Sequence, residues 1–210
     1  MIRNLKALGL AVVAVFAMSA LTASAAMAGT TSFHSNADHT TITGEQEGTN
    51  TFSVNAGTIH CSTATFSGTS SATTTQEITI APSYSGCKIT AITLETVEAT
   101  VDMNGCHYLL TSSGQVHVTC PSAPIRVTSP ICTVTVHPQT VNSVDYTNTG
   151  SGTTTATTVE STASSIKYTQ SAICPGGGGE ASNGVYAGSV TTTCENAAGN
   201  HVGCWWSTTP

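Results

Sequence analysis

The sequence predicts an all-β protein, an antiparallel β-sandwich stapled by disulfides, with a β-barrel or a β-solenoid as the alternative architecture. Three observations predict it. The 210 residues include 40 Thr and 24 Ser. Short apolar/polar alternation recurs between turn residues, and no stretch sustains a 3.6-residue period. All eight cysteines lie beyond residue 60. Thr and Val at this density are stiff at χ1 and suit pleated backbone. Leucine argues the same way: beyond residue 21 only Leu94, Leu109 and Leu110 remain, too few for a helical bundle. Two sandwiched sheets are the most economical home for about a dozen short strands.

Taken in order, residues 1–28 read as a secretory signal peptide. Arg3 and Lys6 form its positive start, residues 7–21 its apolar run, and Ala26-Met27-Ala28 the small-residue cleavage site. Ala23-Ser24-Ala25 is a second site of the same kind. The run is shorter than the roughly 20 residues of a membrane span. Residues 29–210 read as one secreted all-β domain, or two packed β subdomains. This mature part keeps three bases (Lys88, Arg126, Lys167) and all 11 acids, so its formal charge is 3 − 11 = −8. That acidic balance excludes a phosphate-neutralising patch, so no nucleic-acid partner is expected. No later run is long enough to cross a bilayer, so no membrane span is expected after signal removal.

The strands are read from alternation. Candidates are 40–43, 49–54, 58–66 and 76–81. In 95–103, Val97, Ala99, Val101 and Met103 share one side while Glu98, Thr100 and Asp102 take the other. Asn104-Gly105 then signals a hairpin returning through 106–110. Further strands are 115–120, 125–128, 132–137, 141–147, 153–161, 166–170, 185–191 and 201–206. The Thr/Ser/Gly-rich stretch 148–165 reads as a loop followed by an edge strand, and Pro175-Gly-Gly-Gly-Gly179 as a flexible loop.

Cys61, Cys87, Cys106, Cys120, Cys132, Cys174, Cys194 and Cys204 form an even set in an exported chain, which reads as a disulfide framework. None has the short C-x2-4-C spacing of a zinc knuckle, so neither metal nor cofactor is expected. Spacing suggests Cys120–Cys132 across a hairpin, with Val118 opposite Val134, and Cys194–Cys204 around the Asn196–Asn200 turn. Cys87–Cys106 and Cys61–Cys174 complete the expected set.

Candidates for chemistry are weak. Ser85-x-x-Lys88 and Ser164-x-x-Lys167 match a β-lactamase-type motif but fall in strand or turn context. His117 and His137 lie on outer faces of strands that could pair, without an evident nucleophile or acid beside them. Glu45 and Glu47 are about 7 Å apart if extended, a separation used by inverting glycosidases, but the chain is only 5% aromatic. Glu98 and Asp102 stand about 13 Å apart, which is too wide. Nine Thr-x-Thr pairs suggest an ice-binding array, but this composition alone yields about eight and their spacing is irregular. Trp205-Trp206 is the one unusual aromatic pair, one ring to each face of a strand, and a candidate contact surface.

The elements Ile59-His-Cys61, Tyr84-Ser-Gly-Cys87, Asn104-Gly-Cys106-His-Tyr108, Val118-Thr-Cys120-Pro121 and Tyr186-Ala-Gly188 resemble those of uncharacterised secreted, cysteine-paired β-rich proteins of soil actinobacteria. The resemblance implies an exported, disulfide-bonded β fold and brings no catalytic residue with it. The resulting expectation is an extracellular or cell-surface binding or structural module whose partner is an extracellular ligand or surface component. A secreted hydrolase with a site assembled only in the fold is the alternative. A protease inhibitor, with Arg126 between Pro124 and Pro130 as bait, is a third.

Overall fold

The computed structural model describes residues 31–93, 95–142, 144–152 and 155–208. The signal peptide read in 1–28 lies outside the described residues, as do Leu94 and the first two residues of the expected strand 153–161. Alternation is converted into sixteen strands, with no α-helix among the described residues. In chain order they are β1 (Thr31–Ser35), β2 (Thr40–Val54), β3 (Gly57–Ser70), β4 (Thr74–Thr75), β5 (Glu77–Ala91), β6 (Thr96–Asp102), β7 (His107–Thr111) and β8 (Gln115–Thr119). Then come β9 (Ile125–Ser129), β10 (Cys132–Val136), β11 (Gln139–Asn142), β12 (Val144–Thr149), β13 (Ala156–Gln170), β14 (Gly179–Glu195), β15 (His201–Val202) and β16 (Cys204–Thr208).

Five long strands build a common wall in the order β5-β3-β2-β14-β13, all antiparallel. The wall then forks. β6 takes one half of the outer edge of β5, with Cys87 opposite Ala99, and β7 takes the other, with Ile80 opposite Tyr108. From Ala81 to Ser85, β5 pairs with β3 alone. In the first branch β6 passes to β9, β9 to β10, and β10 back to β13. The circuit β5-β3-β2-β14-β13-β10-β9-β6 therefore closes on itself through eight strands. Inward faces pack across a shared interior, as in the expected disulfide-stapled antiparallel sandwich, and hydrogen bonds run around its edge.

The second branch, β7-β8-β11, closes differently. The Gln139 side chain donates from Nε2 to the Lys167 carbonyl at 2.9 Å and accepts from the Lys167 N–H at 2.8 Å. One side-chain amide thus substitutes for a peptide group in a sheet ladder. β12 covers the first half of β13, and a small sheet β16-β1-β4 lies against the interior beyond it.

The register corrects several expectations. The Asn104-Gly105 turn forms, with both residues at positive φ (49° and 75°), but it does not make a hairpin. β6 and β7 both run antiparallel to β5, so the turn carries the chain sideways along one edge instead of reversing it. Asn104 Nδ2 donates to the Pro124 carbonyl at 2.7 Å, which ties the turn to the segment before β9. The region after residue 148 is not an edge: β13 has β14 on one side and β12 and β10 on the other.

Four disulfides form: Cys61–Cys87, Cys106–Cys120, Cys132–Cys174 and Cys194–Cys204. The last is the one expected. The expected Cys120–Cys132, Cys87–Cys106 and Cys61–Cys174 do not form, because β8 and β10 belong to different branches. Val118 faces Tyr108 and Gln139, and Val134 faces Val127 and Gln170. Cys61 and Cys87 instead sit directly opposite each other on β3 and β5. Cys106 and Cys120 flank the His107/Thr119 end of the β7–β8 pair. Four such bridges suit an oxidising environment.

These closures can be tested separately. Replacing Cys132 and Cys174 together, a bridge across 42 residues, should cost about 4 kcal/mol, and replacing Cys194 and Cys204, across 10, about 3 kcal/mol. Denaturant titration of the two double variants gives the order. Gln139→Ala should cost about 1 kcal/mol and speed hydrogen exchange at the Lys167 amide, leaving amides of the first branch protected.

A candidate ligand chamber at the fork

The interior is walled mainly by small and β-branched side chains. Two packed clusters result. One contains Ile59, Ile89, Val127, Val134 and Tyr168; the other contains Phe33, Ile42, Ile78, Ile80 and Trp206. A cavity of about 180 Å³ is lined by members of both and by both branches of the fork, among them Val101 and Val127 from one and Val116 and Val141 from the other.

Local irregularities decide which side chains reach it. Inward-facing positions on β5 include Ile78, Ile80 and Tyr84, then shift parity at Cys87 and Ile89. Gly86 makes the shift at φ 58°, and a Cβ there would lie 2.1 Å from Ser62 Oγ. Only glycine fits, and its presence lets both Tyr84 and Cys87 face inward. On β2 the register slips between Glu45 and Asn50 against β3, and Asn50 is buried inside. Gly188 on β14 leaves room for Asn50, whose Oδ1 would be 1.9 Å from any Cβ at that position.

These placements gather three phenols and two amides. The Tyr84 and Tyr108 hydroxyls share a hydrogen bond of 3.2 Å. The Tyr186 hydroxyl donates to Asn50 Oδ1 at 2.6 Å. Asn50 Nδ2 donates to Gln46 Oε1 at 2.9 Å, and Gln46 Nε2 donates to the Ser62 carbonyl at 2.6 Å. Tyr84, Tyr108, Tyr186 and Asn50 all line the cavity. Burial pushes the pKa of all three phenols up, and for Tyr84 the neighbouring Tyr108 and Tyr186 add to it. Its bond with Tyr84 works the other way for Tyr108, without reversing the rise. The partial exposure of Tyr84 and Tyr108 sits with this deep burial because both line the cavity.

The residues singled out from sequence lie elsewhere, with one exception. Trp206 is 5% exposed, packs edge-on to Phe33 at 5.9 Å and stacks on Tyr146 at 4.2 Å, and it lines one end of the chamber. Trp205 faces the other way and stacks on His34 at 5.5 Å. His117 on β8 bonds Thr140 Oγ1 at 2.7 Å and His137, just past β10, bonds Thr169 Oγ1 at 3.2 Å; β8 and β10 do not pair with each other. Lys88 of the Ser-x-x-Lys motif pairs with Glu98 at 3.2 Å on the surface, and Glu47 accepts from Thr191. Among the described residues no group of three or more His, Cys, Asp or Glu is placed to hold a metal ion, and no helix is long and apolar enough to cross a membrane. Sequence reasoning missed Tyr84, Tyr108, Tyr186 and Asn50. A signal was available: tyrosines at inward positions need hydroxyl partners, and this chain has few long polar side chains to supply them. No family model, curated protein or solved structure matches the chain.

Alkaline titration tests the buried phenols. Tyr84, Tyr108, Tyr146 and Tyr186 all have pKa values raised from 10.0. The folded state therefore keeps protons that the unfolded chain loses. Their contribution to stability is complete below about pH 10 and is lost as pH rises past it. Phenolate absorbance from these four should appear only together with loss of the β-sheet circular dichroism signal. Ionisation of all of them near pH 10 with the fold intact would refute the buried network.

Proposed function

We propose that the chain is an exported, extracellular binding module that holds a small apolar molecule in the chamber at its fork. The chamber is the observation that carries this reading. Left unfilled, a space of about 180 Å³ would forgo about 4 kcal/mol of packing, a large share of the roughly 5–15 kcal/mol by which domains are stable. Apolar cavities of about 150 Å³ are known to stay dry and to take up a single aromatic ring. An apolar wall with a few convergent polar groups is also the usual composition of a small-molecule site. The signal segment and the disulfide framework support the extracellular setting, and the acidic, Thr/Ser-rich composition supports solubility there.

Thermal unfolding in the presence of toluene tests the reading. Toluene at about a hundred times its dissociation constant should stabilise the chain by about 2.7 kcal/mol. Ala163 is 2% exposed and lines the chamber. Ala163→Leu should fold with an equal or higher Tm and lose most of the toluene effect, since the leucine occupies the space. A wild-type chain whose Tm ignores toluene would count against a ligand chamber.

A further inference from the structure

We infer that the natural ligand is a neutral molecule built on an unbranched hydrocarbon chain, which lies lengthwise in the chamber. The inference rests on the ligand-binding reading above and specifies the shape and charge of what the same chamber takes. Three observations carry it.

The first is length. The chamber is lined on β14 from Tyr186 to Thr192 and on β5 from Ile78 to Tyr84, six residues of rise on each strand. At about 3.3 Å per residue, each strand borders it for about 20 Å. Strands of a closed sheet tilt by about 40°, which leaves about 15 Å along the axis. β13 gives a similar span, from Val159 to Ile166. A sphere of 180 Å³ would be only about 7 Å across. The chamber is therefore long and narrow, with Phe33, Ile78 and Trp206 at one end and Phe52, Ile125 and Ile166 toward the other. A slender chain can follow such a passage, whereas a compact ring system of the same carbon count cannot.

The second is the charge of the wall. None of the lining side chains is ionic. An anion or cation carried inside would lose its water and meet no counter-charge. A neutral ligand avoids that penalty.

The third is that the main polar groups of the wall are already paired. Tyr84 and Tyr108 bond each other, Tyr186 donates to Asn50, and Asn50 donates to Gln46. The Gln139 amide is held by the Lys167 backbone. A hydrocarbon lying beside these groups breaks none of their bonds, so the wall demands no polar group from its guest.

Calorimetric titration of residues 29–210 tests this with straight-chain alcohols from butan-1-ol to octan-1-ol, and with cyclooctanol, octanoate and toluene. Affinity should rise about fourfold for each added CH2. Octan-1-ol and cyclooctanol have equal carbon counts and one hydroxyl each, so their comparison isolates shape. Octan-1-ol should bind at least tenfold more tightly, and octanoate should not bind measurably. Val159 lines the end near Trp206, beside Tyr146 and Val190. Val159→Phe fills that end and shortens the chamber. With toluene still bound, its affinities should stop rising at a shorter alcohol than those of the wild type. The inference is overturned if cyclooctanol binds as tightly as octan-1-ol, if octanoate does, or if the alcohol series is the same in Val159→Phe. The alcohol comparison needs no variant and decides the shape even if Val159→Phe does not fold. Failure of toluene itself to bind the wild-type chain overturns the ligand-chamber reading and this inference with it, so the two failures are distinguishable.

Discussion

The wall of this protein encloses more space than its inward side chains fill. Strand pairing fixes the circumference: once eight strands close through β5 and β6, neighbouring backbones cannot approach more closely than the sheet spacing allows. The side chains sent inward are then largely Val, Ile, Ala, Thr and Gly. Helical proteins relieve such a mismatch by sliding helices together, but a closed sheet cannot. The mismatch is left as a chamber, and many of the few aromatic side chains, Phe33, Phe52, Phe66, Tyr84, Tyr108, Tyr186 and Trp206, are concentrated around it.

The fork explains where the chamber sits. β5 shares its edge between β6 and β7, so two branches leave one wall and return to it separately, one through β10 and one through Gln139. Tyr84 lies on the stretch of β5 between the branches, and Tyr108 begins the second of them. The disulfides hold this arrangement at its weak places. Cys61–Cys87 ties β3 to β5 where the parity shifts, Cys106–Cys120 secures the root of the second branch, and Cys132–Cys174 anchors β10 beside β13. A chain with so few large apolar residues relies on such bridges in place of a dense core.

Much of the fold is legible in the sequence because alternation is a local property. Gln115–Thr119 and Cys132–Val136 each place valines on one face, and the structure buries those valines. Partnership is not local. Cys120 and Cys132 look like hairpin neighbours on spacing alone, and nothing within either strand says that they belong to different branches. Asn104-Gly105 is legible as a turn, but whether the chain reverses or steps sideways depends on the free edge of β5 that it meets. The site was the least legible part. Tyr84 faces inward because of where Gly86 shifts the strand, and Asn50 because of a register slip on β2. Such irregularities change the inward set without leaving a periodic trace. Trp206 was visible as an unusual residue, while its place at the end of a chamber depended on Tyr146 and Phe33 from distant segments.

The central claim is that the space between the two branches is open enough to hold a guest. A crystal of residues 29–210 pressurised with xenon tests it most directly, since xenon settles in dry apolar cavities by dispersion contact alone. An ordered xenon peak is expected within reach of Ile80, Val118 and Tyr108, three residues that line the chamber. An interior without xenon, with Trp206 or the tyrosines collapsed into the space, would contradict it.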